Sequence, residues 1–171
     1  MGLQFNLWSA FREWGENTDD AEWAEEQEDM LDDAGKLRKS VNLAKLYGSL
    51  LAEGVLSLQI LKVYLKLIWS LMKKVLGFIN LQPLTKTFLE VFFTQLVLHS
   101  QGNDNTSRNA EPLVQCAYKL ADSAALAKGI DWYLRKKNVE KAGLSSGEAK
   151  SCVVWGIEIL RKGIAEVLEE Q

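Results

Sequence analysis

Catalysis requires a base, a nucleophile or a set of metal ligands held at a fixed spacing, and this 171-residue chain has few candidates. Its one histidine, His99, ends an apolar run beside a polar stretch. With no second imidazole to share a metal or complete a triad, the expectation is a cation interacting with the end of a helix. Cys116 and Cys152 lie in apolar helical runs and lack a Cys-x-x-Cys partner or metal-ligand spacing, so both read as buried thiols in a reducing compartment. Gly143 and Gly147 flank two serines, but the Lys-Ser/Thr that would hold phosphate and magnesium does not follow. The sequence points away from an enzyme, with no catalytic residue, metal or cofactor expected.

Charge clusters offer recognition chemistry instead. Glu16 to Asp33 holds ten acidic residues and no basic one. A run this hydrophilic repels itself and resists the burial that would make one carboxylate a general acid for another. It reads as an acidic linker over about 16–33. Trp23 stands alone among the acids and is a candidate partner anchor, because tryptophan is favoured at interface hot spots. The chain has six tryptophans, and the others read chiefly as packing between helices. Arg135, Lys136 and Lys137, with Lys141 nearby, form a candidate phosphate contact, and the competing reading is a solvated helix end. The net charge of −3 gives no global case for nucleic-acid binding, so RNA is expected to be met mainly through a partner.

The elements that position these groups read as helices throughout. Leu3, Leu7, Trp8, Phe11 and Trp14 share one helical face, which predicts a helix from about Leu3 to Glu16. Ser40 can cap a second, with Val41 through Leu51 as its apolar face and Glu53-Gly54 as its end. Val55 to Ile79 reads as one long amphipathic helix with Gln59, Lys62, Lys66, Ser70 and Lys73 on a wet stripe. These lysines argue against a membrane span, and a membrane-surface helix is the remaining competitor. Pro83 suits a first helical turn, and Thr85 to Leu98 is apolar nearly all round, as the central helix of a bundle would be. Ser100 to Ala110 reads as a loop. Pro112 opens a helix through Leu126, a second piece covers Ile130 to Arg135, and Lys136 to Ser146 is a polar connection. Ser145 and Glu148 have capping-box spacing before a last helix that uses Cys152, Val153, Gly156, Leu160, Ile164, Val167 and Leu168.

An apolar fraction of 47% and a charged fraction of 25% are ordinary for a globular domain. Residues 1–171 therefore read as a single all-α domain, an antiparallel helical stack of HEAT-like pairs. Met1 to Phe11 lacks the basic start and apolar block of a secretory leader.

The stretch Val41-Asn42-Leu43-Ala44-Lys45-Leu46-Tyr47-Gly48-Ser49-Leu50-Leu51-Ala52-Glu53-Gly54, continuing to Lys62, resembles the second half of an MA-3 domain of the form found in nucleolar MIF4G-domain proteins. Phe5 to Arg12, Leu81 to Phe93, Ala127-Lys128-Gly129-Ile130 and Trp155-Gly156 are also similar to that family. The resemblance implies a partial MA-3 module over about 36–99, with a helical extension over 111–171. Relative to the family pattern, the MIF4G domain and the first MA-3 helices are absent, and Val63 to Lys74 looks inserted. It further implies a protein–protein adaptor in nucleolar small-subunit ribosome biogenesis and 18S rRNA processing. The implied partners are a DEAD-box RNA helicase of the initiation-factor 4A type and the pre-ribosomal particle, with no membrane. An MA-3 scaffold in translation or splicing is the alternative. MA-3 domains place acidic residues ahead of the equivalent helix against basic helicase surface. Together with the local charge, this makes Asp29, Asp32 and Asp33 candidate partner-binding residues.

Overall fold

The structure, a computed structural model, describes residues 2–14, 32–62, 82–102, 108–135 and 147–169. Trp23, Asp29, Lys136, Lys137, Ser145 and the stretch Val63–Lys74 lie outside the described residues. The described residues are helical, as the sequence predicts: α1 (Gly2–Glu13), α2 (Asp33–Ala52), a single 3-10 turn (Leu58–Leu61), α3 (Pro83–Ser100), α4 (Glu111–Tyr118), α5 (Ala124–Arg135) and α6 (Gly147–Glu169). None of these helices is long and apolar enough to cross a membrane.

Helix α3 organises the rest. Pro83 stands in its first turn, where a missing N–H costs nothing. Phe88, Leu89, Phe92, Phe93, Leu96 and Val97 are all fully buried. Burying a side chain of this size contributes roughly 1.5–3 kcal/mol. A chain of aromatic contacts crosses the core through it. Phe11 of α1 meets Phe88 edge-on at 5.2 Å, Phe88 stacks on Phe92 at 5.7 Å, and Phe93 stacks on Tyr133 of α5 at 5.7 Å.

Helices α2 and α3 form the most extensive pair, and they run parallel. Ser40 Oγ donates to the Leu84 carbonyl at 3.0 Å, Gln95 Nε2 donates to Ser49 Oγ at 3.1 Å, and His99 Nε2 faces Glu53 Oε1 at 3.0 Å. Residue numbers rise together on the two helices. The expected antiparallel stack places a further element, Val55 to Ile79, between these two in the chain, so alternating directions leave α2 and α3 parallel. A parallel pair requires a connection that travels back along a helix about 30 Å long. Helix α1 lies antiparallel to α2, with the Tyr47 hydroxyl donating to the Leu3 carbonyl and Lys39 paired with Glu13.

Two glycines set how close the helices come. A Cβ on Gly48 would lie 2.8 Å from the Phe92 carbonyl oxygen and 2.9 Å from Gln95 Cβ, so α2 meets α3 almost backbone to backbone. A Cβ on Gly156 would lie 2.4 Å from Val97 Cγ1. At 100° per residue, Val97 lies on the side of α3 opposite Phe92 and Gln95. Glycines on α2 and α6 therefore grip α3 from its two sides.

Several boundaries differ from the sequence reading. Helix α2 starts at Asp33 rather than after Ser40, with Asp32 as N-cap. Acids favour a helix start because they meet unpaired N–H groups and the positive end of the dipole, so the end of the acidic block is helix rather than linker. Ser40 is buried mid-helix and serves the contact with α3 instead. The amphipathic run expected from Val55 opens as a 3-10 turn, with Leu58 and Leu61 buried and Gln59 Nε2 donating to the Lys119 carbonyl. The helix expected from Pro112 to Leu126 breaks after Tyr118, where i→i+3 bonds from Leu120, Ala121 and Ser123 tighten the chain, and α5 begins at Ala124. Leu3 is 40% exposed rather than core, since it sits at the rim where α1 begins.

Replacing an exposed helical glycine with alanine stabilises by about 0.5–1 kcal/mol. At position 48 the sign reverses, because the added methyl must separate two packed backbones. Gly48→Ala is expected to lower the unfolding free energy by about 1–3 kcal/mol in urea titration. Gly147→Ala, where a Cβ meets nothing within 4 Å, serves as the control and should be unchanged or slightly stabilised.

Candidate functional site

The predicted acidic contact is only partly described. Asp32 and Asp33 are both exposed at the start of α2. Asp32 already has a structural role, since its Oδ1 accepts from the Gly35 N–H at 2.8 Å. Charge reverses one turn on, where Lys36, Arg38 and Lys39 continue the helix. A shallow groove runs along this part of α2, lined by Gly35, Arg38, Lys39, Asn42, Leu43 and Leu46. Leu46 is 48% exposed. The N-terminal half of α2 thus presents acid at its tip and a basic, partly apolar stripe behind it. Such a surface suits a protein partner, because apolar contact supplies affinity and charge supplies orientation.

The candidate phosphate contact has one described member, Arg135, the last residue of α5. Its guanidinium does not stand alone in solvent. Arg135 Nε donates to Asp131 Oδ2 at 2.7 Å, across one helical turn. The other oxygen, Oδ1, faces Arg161 Nε of α6 at 3.6 Å. Asp131 is buried, and a buried carboxylate persists only with such compensation. Sequence reasoning missed both Asp131 and Arg161. The i,i+4 spacing of Asp131 and Arg135 was visible, but nothing local ties either to Arg161.

A second groove lies along the start of α6, lined by Arg108, Gly147, Lys150, Ser151, Trp155 and Glu158 among others. Arg108 Nη2 donates to Ser151 Oγ at 2.7 Å, and the guanidinium lies 5.8 Å from the centre of the Trp155 ring. Trp155 is thereby covered by a cation rather than open as a stacking platform. His99 sits in the last turn of α3 and faces the Glu53 carboxylate, so its partner is a specific side chain rather than the helix end alone.

The buried thiols and phenols are held in their neutral forms. Burial pushes the Cys116 and Cys152 thiols up, despite nearby Lys119 and Arg108. The Tyr133 phenol is pushed well above its ordinary range by burial first and by Glu90 second, and burial also raises Tyr47. A thiol kept protonated is a poor nucleophile and a poor metal ligand. Among the described residues, no three His, Cys, Asp or Glu side chains are grouped as a metal site.

No family model matches the chain, and no solved structure matches it. Among curated proteins it is similar to Suppressor of glycerol defect protein 1 of Schizosaccharomyces pombe, at 30% identity over 133 residues. That similarity covers 78% of this chain but 13% of the relative, so the chain corresponds to a small part of that protein.

A pH dependence follows from the buried groups. In the unfolded chain the thiols ionise near 8.5 and the phenols near 10, whereas in the folded protein they remain neutral to higher pH. Ionisation therefore favours the unfolded state, and stability should be flat below about pH 8 and fall as pH rises beyond it. Urea unfolding at pH 7, 9 and 10 checks this. Tyr133 Oη has no hydrogen-bond partner, so Tyr133→Phe should lose little at pH 7 and flatten the alkaline fall.

Proposed function

We propose that this chain is part of a non-enzymatic adaptor that acts in nucleolar small-subunit ribosome assembly and 18S rRNA processing, where it holds a DEAD-box RNA helicase. The observation that carries this reading is the likeness over most of the chain to Suppressor of glycerol defect protein 1. It agrees with the MA-3-like stretch Val41–Lys62, which forms the larger part of α2 and the turn after it. The geometry suits the role. Helix α2 is pinned on one side by α3 and α1, while its start offers Asp32 and Asp33 to solvent. The acids would meet an arginine-rich helicase surface, and the stripe of Leu43 and Leu46 would supply apolar contact beside it. The buried, neutral cysteines favour a scaffold over a thiol enzyme.

The structure makes the test of this reading sharper. Asn caps a helix about as well as Asp, so Asp32→Asn removes charge while keeping the cap. The triple variant Asp29→Asn, Asp32→Asn, Asp33→Asn should retain its helicity by circular dichroism. Exposed ion pairs contribute roughly 0.2–1 kcal/mol each, so binding to the helicase at low salt should weaken about tenfold, and the parent's affinity should drop steeply with ionic strength. Equal binding by parent and variant would remove the acidic segment from the interface. Affinity purification from nuclear extract tests the wider reading. Pre-ribosomal proteins together with one DEAD-box helicase are expected, and recovery of translation or splicing factors instead would select a different MA-3 scaffold.

A further inference from the structure

The Asp131 cluster has an unbalanced charge. One carboxylate, only 12% exposed, holds two guanidiniums, Arg135 on one oxygen and Arg161 on the other. The cluster therefore keeps one positive charge in surplus, at the seam between α5 and α6. Arg135 is 61% exposed and Arg161 36%. Each approaches Asp131 through Nε, which leaves the paired Nη donors of both forks for other acceptors. Arg161 Nε itself has no hydrogen-bond partner, since 3.6 Å is beyond bonding range. A plain helix-to-helix ion pair would need one arginine per carboxylate. Arg135 is held by the buried acid and Arg161 faces the acid's other oxygen, so two guanidiniums meet at one carboxylate and part of the side-chain ordering that an anion clamp requires is already done.

We propose that Arg135 and Arg161 clamp a backbone phosphate of a single-stranded nucleic acid, with Asp131 as the residue that positions them. The extended shape of the positive surface favours a backbone over a lone phosphoryl group on a peptide. Exposed Lys128 lies two turns before Arg135 on the same side of α5, about 10 Å away along the axis. Exposed Lys162 follows Arg161, with Glu158 one turn earlier and Glu166 one turn later as the acids that limit the patch on α6. The choice of RNA over DNA as the natural ligand rests on the ribosome-assembly reading; the clamp itself does not.

The test uses the full chain and labelled oligouridylate and oligothymidylate of about 15 nucleotides, a length that spans a typical single-strand site, with anisotropy as the readout. Loss of the clamped phosphate should weaken binding about tenfold and make the slope of log K against log salt shallower by roughly 0.7. Both changes are expected in Arg135→Gln/Arg161→Gln. Arg135→Gln alone alters only the more exposed fork, so it keeps the test valid if the double variant melts early. A purely structural role for the cluster would lower the melting temperature and leave the salt slope unmoved. Tighter binding of the uridylate identifies RNA as the ligand, and equal binding of both supports a clamp that reads the shared backbone. No binding by the parent, an unchanged affinity and slope in a folded variant, or capture of a phosphoserine peptide in preference to either oligonucleotide overturns the proposal. Because no helicase is present, failure here leaves the adaptor reading standing. Loss of helicase capture with RNA binding intact would have the opposite meaning.

Discussion

Helix α3 has no face that can be left to water, and most of the molecule follows from covering it. Its buried side chains cover most of the turn of the helix and Val91 and Leu98 on the remaining arc are half-buried, so neighbours must approach from several directions at once. α2 and α6 grip it from opposite sides, α1 covers Phe88 near its start, and α5 closes on Phe93 through Tyr133. Such close approach is possible only where a side chain is missing from the contact. Gly48 and Gly156 occupy those positions, where even a methyl group would overlap the facing helix. Protein interiors are packed as densely as organic crystals, so neither crossing can widen without opening voids elsewhere.

Covering α3 leaves the polar chemistry at the ends and outer seams of the helices. The start of α2 carries its acids, the end of α3 places His99 against Glu53, and the seam of α5 and α6 carries the two arginines on Asp131. Interiors of this kind hold thiols and phenols in neutral form and leave recognition to surfaces. A module built this way presents charge and a few exposed leucines from a rigid frame.

Much of this was legible from the residues alone. The all-apolar run Thr85–Leu98 marked the central helix, Pro83 and Pro112 marked helix starts, and the spacing of Cys152, Val153, Gly156, Leu160 and Ile164 marked the buried face of α6. Helical periodicity is a local property, and the sequence carries it in full. That α2 packs most extensively on α3 was not legible, because which helices meet is not a property of either helix alone. Nor was the role of Ser40, which reads as a cap by residue type yet spends its hydroxyl on a carbonyl of α3. Gly48 and Gly156 looked like ordinary helical glycines until their facing backbone and side chains were in place. Asp131 and Arg161 stand thirty positions apart, and only the packing of α5 on α6 brings a second guanidinium to a carboxylate that local spacing had already matched with Arg135. Which side chains prefer water is written in the sequence. Which of them meet is decided by the tertiary structure, since those meetings depend on distances between helices that no local pattern encodes.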